Sequence, residues 1–73
     1  MNKNEALFYN EIVDRVNHIV SDYSSGVLKE KDFIYYLNYL LRDISESKVS
    51  HLPEVETIVE AINQALTSLE AFE

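Results

Sequence analysis

Apolar residues recur along this chain at intervals of three and four, and no apolar–polar alternation is sustained over five residues. That spacing predicts helices throughout. In the first segment Tyr9, Ile12, Val13, Val16, Ile19, Val20 and Tyr23 form one stripe, on a helix from about residue 4 to residue 23. Ser24-Ser25-Gly26 then stops it, Gly26 being suited to the left-handed residue past a helix end. The second segment, about 29–45, buries Phe33, Ile34, Leu37, Leu40, Leu41 and Ile44. Glu30 and Asp32 stand in its first turn, where acids favour the helix dipole. Leu28 precedes it as a hydrophobic staple would, although Lys29 is a poor N-cap. A polar linker, Glu46 to Ser50, leads to Pro53, which suits the first turn of a third helix over about 53–72. Its stripe is Val55, Ile58, Val59, Ile62, Leu66 and Leu69, ending near Phe72. The heptad run is too short for a free coiled coil.

Three amphipathic helices joined by short loops predict an all-α fold: a single domain over residues 1–73, arranged as a small up-down-up three-helix bundle. A chain of 73 residues lies near the lower limit of what one core supports. The alternative is therefore a looser arrangement closed by homodimerisation.

Composition narrows the function classes. With no Cys there is no disulfide framework, thiolate nucleophile or Cys-based zinc site. A single Gly rules out a glycine-rich phosphate loop. No run approaches the ~20 apolar residues of a membrane span. The start, Met1 to Glu5, lacks the basic and apolar regions of a signal peptide. A cytoplasmic location is the expectation.

Thirteen acids face six bases, for a net charge of -7 with His neutral. The charge is segregated. The first 23 residues carry Lys3 and Arg15 against Glu5, Glu11, Asp14 and Asp22, and residues 24–48 are balanced. From residue 49 onward there are five Glu and no base. At ~100° per residue, Glu56, Glu60, Asn63, Thr67 and Glu70 share one outward face of the third helix. Glu56 and Glu60 are then ~6 Å apart along the axis, of the same order as the charge spacing of a nucleic acid duplex. Such a surface excludes direct contact with phosphates, which calls for Lys and Arg, and suits a basic partner.

Five Tyr is a high number, and three fall within Phe33 to Tyr39. Tyr35 and Tyr39 point away from the apolar stripe, with Arg42 beside them and Tyr36 on the border. Exposed aromatics next to Arg have the composition of a binding hot spot or a self-association surface. Asp32-Phe33-Ile34-Tyr35-Tyr36 is similar to the paired-tyrosine segment of the immunity proteins that inhibit nuclease colicins, which are small acidic helical inhibitors. In that family Pro follows the pair in a short helix, whereas Leu37-Asn38-Tyr39-Leu40 here continues a long one, so no residue roles carry over.

Catalytic chemistry finds little to work with. Asp14, His18 and Asp22 are spaced i, i+4, i+8, but without a second ligand cluster no metal site is expected. His51 precedes Pro53 and is read as capping or decorating the helix start. Ser50-His51-Leu52 resembles the Asp-Ser-Leu of phosphopantetheine carrier proteins only with Lys48 and Val49 in front of the Ser and a single helix after it. No triad or carboxylate cleft can be assembled, and so short a helical chain lacks room for a deep pocket of ~300 Å³. No enzymatic activity, metal or cofactor is expected.

The sequence therefore predicts a protein that acts by binding another protein, most naturally as an inhibitor or modulator of a basic, nucleic-acid-binding host protein through DNA mimicry. Very short acidic helical proteins of this kind are common among phage-encoded host-takeover and anti-defence factors, an association by size and charge. The predicted contact residues are Glu56, Glu60 and Glu70, with Tyr35, Tyr39 and Arg42 as the anchor. The alternative is an assembly module that homodimerises through the tyrosine face of the second helix.

Overall fold

The computed structural model describes residues 2–70. It consists of α1 (Lys3–Ser24), α2 (Glu30–Ser45) and α3 (Pro53–Glu70), with no strand among the described residues. The predicted all-α three-helix bundle is the observed fold. Helix limits agree with the apolar pattern to about one residue, except that the expected end near Phe72 lies outside the described residues.

Each boundary has a local cause. At the start of α1 the Asn2 side chain accepts from the Glu5 N–H (2.8 Å), and the Glu5 carboxylate accepts from the Asn2 N–H (2.9 Å). This reciprocal capping box satisfies two otherwise orphaned donors. At the other end Gly26 adopts φ 87°, a left-handed conformation. Its N–H donates to the Tyr23 carbonyl (3.2 Å), and the Val27 N–H reaches back to the Asp22 carbonyl (2.9 Å). These are the two bonds of a Schellman motif. α2 begins after Lys29, which makes no side-chain cap bond. The helix relies instead on the acids of its first turn. At its end the Ser45 and Ser47 hydroxyls donate to the carbonyls of Arg42 (2.8 Å) and Ile44 (2.6 Å). Pro53 opens α3, and the Leu52 carbonyl accepts from the Val55 and Glu56 N–H groups, each at 3.0 Å. Leu52, not His51, thus holds the cap position.

α2 lies between the other two helices and packs on both, as short connections demand of antiparallel neighbours. Its Phe33, Leu37, Leu40 and Ile44 are buried, together with Val55, Ile62 and Leu66 of α3. α1 adds only Ile12 to this core. The Tyr23 and Phe33 rings stack at 4.1 Å between centroids, and an Arg15–Asp43 ion pair (3.0 Å) joins α1 to α2. Being over a third exposed on both sides, that pair contributes little to stability.

Two expectations are corrected. Val20, assigned to the buried stripe of α1, is 44% exposed, because it borders an open groove between α1 and α3. Conversely Val49, in the linker read as polar, is buried at 4% and belongs to the core. No described helix is long and apolar enough to cross a membrane.

Candidate functional site

The apolar stripe of α3 fixes where its carboxylates stand. With Val55, Ile62 and Leu66 turned inward, Glu56, Glu60, Asn63, Thr67 and Glu70 fall along one flank, and all five are exposed. The N-terminal half of that flank lies beside α2. Glu56, Glu60 and Asn63 form one wall of an open trough of ≈ 760 Å³, with Leu41, Arg42 and Ser45 of α2 forming the other. All five side chains are open to solvent, and the first three also border the neighbouring helix. The trough exceeds the volume expected of so short a chain, yet it is a surface furrow and not an enclosed pocket.

The charges on this wall are uncompensated. Among the described residues the ion pairs are Arg15–Asp43, Arg42–Glu46 and His51–Glu5, and none involves a glutamate of α3. Arg42 shares the trough, but its Nε lies 3.4 Å from the Glu46 carboxylate on its own helix. Glu54, at the start of α3, is exposed as well.

Tyr35, Tyr36 and Tyr39 are 64%, 45% and 50% exposed. Tyr35 and Tyr39 stack with ring centroids 6.4 Å apart, and Tyr36 meets Tyr35 edge-on at 5.7 Å. The three rings form one small aromatic platform on the surface of α2. Phe33 and Leu37, buried on the same helix, point the opposite way by the 3.6-residue period. Arg42 links the two candidate regions: it follows Tyr39 by three residues on α2 and also lines the acidic trough. Tyr9 and Tyr23 are half-buried against the core and take no part in the platform.

The remaining polar candidates do not converge. Asp14 and His18 are exposed and Asp22 is half-buried, and no group of three or more acidic or His side chains among the described residues could hold a metal ion. His51 is directed at α1, its Nε2 lying 3.9 Å from the second carboxylate oxygen of Glu5. This places the α2–α3 linker beside the start of α1. Ser50 borders the trough and is exposed.

Sequence reasoning missed the trough itself and the place of Arg42 in it. A helical wheel orders residues around one axis; it does not say which neighbour each flank meets. No family model, curated protein or solved structure is significantly similar to this chain.

Proposed function

We propose that the protein acts by binding a basic protein, and that the acidic flank of α3 is the contact surface. The observation that carries this reading is the row Glu56, Glu60 and Glu70, exposed and without an ion-pair partner among the described residues. Charges left free in this way raise the local concentration of a cationic partner and accelerate encounter. They make no ion pair among the described residues, so their charge is open to a partner. The partner best suited is one that ordinarily holds a nucleic acid, because a line of carboxylates presents it with the charge pattern of a phosphate backbone. Binding then occludes its nucleic-acid site, and the protein works as an inhibitor or modulator.

The tyrosine platform supplies what the carboxylates cannot. Exposed carboxylates steer and select, whereas buried aromatic and Arg anchors provide most of an interface's free energy. Tyr35 and Tyr39 are already stacked on each other, so little side-chain freedom is lost on docking. The same exposure favours the competing reading, an assembly module that homodimerises through these tyrosines.

Affinity capture from the native cell, with the bound proteins identified by mass spectrometry, tests the proposal. The expected catch is a basic nucleic-acid-binding protein that is released as salt rises and competed off by DNA or RNA. A catch of neutral or acidic proteins retained at high salt contradicts it.

A further inference from the structure

On the other flank of α3, away from Glu56 and Glu60, α1 and α3 leave an open groove over α2. Val16 and Val20 of α1 wall it on one side, Ile58 and Ala65 of α3 on the other, and Phe33 and Leu37 form its floor. The groove holds ≈ 220 Å³ and is apolar almost throughout; it continues along α1 past Val16 toward Val13. We infer that this face is covered by a second copy of the same chain, the two grooves meeting in a homodimer.

Two independent observations carry the inference. One is incomplete burial. The chain exposes 5318 Å², whereas a compact monomer of its mass exposes about 4650 Å². Its radius of gyration is 12.7 Å, against ~11 Å for a compact domain of this length. The surplus of roughly 650 Å² belongs to the whole chain, elongated at 39 × 22 × 16 Å, and is of the order of the ~800 Å² that each partner contributes to a stable interface. Isologous pairing on this face would cover apolar surface the monomer leaves wet, Val20 first.

The other observation is the charge map. Along α1 from Glu11 onward, Glu11, Arg15, His18 and Asp22 fall on the flank turned away from the groove and Asp14 on the outward face, by the ~100° rotation per residue. The residues at the edge of the groove are uncharged, Asn17 on α1 and Ala61 on α3, and so are those next to them on the outward faces, Asn10 and Ser21 of α1 and Gln64 and Ser68 of α3. Only Glu54 intrudes, at one end. In a chain of net charge -7 this is the face on which two copies can meet without setting carboxylates against each other. A basic partner would find no carboxylate along most of it, so the occupant is this same chain and not the protein held by the acidic flank. Depletion of charge over an apolar centre is the composition of a homodimer interface. Ala61 and Ala65, one turn apart, let two helix backbones approach closely there.

The inference is independent of the acidic-flank reading, and its test uses no other protein. Sedimentation equilibrium or light scattering on the purified full chain should give twice its 8.5 kDa mass, and a high-salt buffer should leave that mass unchanged, because the contact is apolar. Ala61→Glu, at an exposed helical position, should return the mass to that of one chain while circular dichroism stays helical. Val20→Asp should do the same. Tyr35→Ala with Tyr39→Ala should leave the dimer intact. A wild-type protein that is monomeric at high concentration overturns the inference, as does a folded Ala61→Glu variant that still dimerises. A dimer lost in the tyrosine variant also overturns it, in favour of the platform on α2.

Discussion

Single residues set the ends of the helices and close the core. Gly26 terminates α1 at φ 87° with open space around its Cα, so Gly26→Ala meets no clash and pays only for a left-handed backbone. A loss of about 1 kcal/mol is expected from urea unfolding. Val49 is the opposite case, a loop residue buried at 4%. Val49→Ala removes two buried methyl groups and should cost about 2 kcal/mol, more than any exposed substitution in the same linker. Gly26 was legible in the sequence because its role is local. Val49 was not, because a single apolar residue in a loop has no period to reveal its direction. The exposure of Val20 was hidden for a related reason: the α1 stripe marks which residues face inward, not how far the next helix extends over them. The Asn2–Glu5 capping box was present in the sequence as an Asn followed three residues later by Glu, but the apolar stripe that drew the helix begins only at Tyr9.

At the level of the element, α2 and α3 were the most legible, since their buried residues are the ones their periodicity picks out. What the pattern could not supply was the neighbour of each α3 flank: Glu56 and Glu60 stand beside α2, whereas the other flank, uncharged past Glu54, borders the groove. Glu56 and Glu60 stand at i and i+4, a like-charge pair that weakens an isolated helix. Glu60→Lys converts it to a favourable pair with Glu on the N-terminal side, and α3 should gain ~0.5 kcal/mol in thermal unfolding. The same substitution should weaken capture of a basic partner. A residue retained for folding would show both effects falling together; here stability and binding are expected to move in opposite directions.

For the whole molecule, a net charge of -7 on 73 residues means that the folded state works against its own repulsion. Raising NaCl to about 0.5 M shortens the Debye length below the spacing of most surface charges. Stability should then increase by the order of 1 kcal/mol, seen as a rise in Tm of ~4–8 °C for a chain this size. The rise should shrink in the Glu56→Lys/Glu60→Lys variant, whose net charge is -3. An unchanged Tm would mean that the carboxylates are neutralised by neighbours, contrary to the ion pairs observed. Composition alone conveyed this global property, whereas the division of the surface into an acidic flank, an aromatic platform and an uncharged groove needed the three helices placed together.

The acidic flank of α3 as a contact surface is tested most directly by measuring the affinity of the captured partner for wild-type protein and for Glu56→Lys/Glu60→Lys. Two reversed charges on a helix that keeps its buried stripe should lower affinity at least tenfold, about 1.4 kcal/mol, and flatten the dependence of binding on salt. Equal affinity and an equal salt dependence for the two proteins would contradict the account.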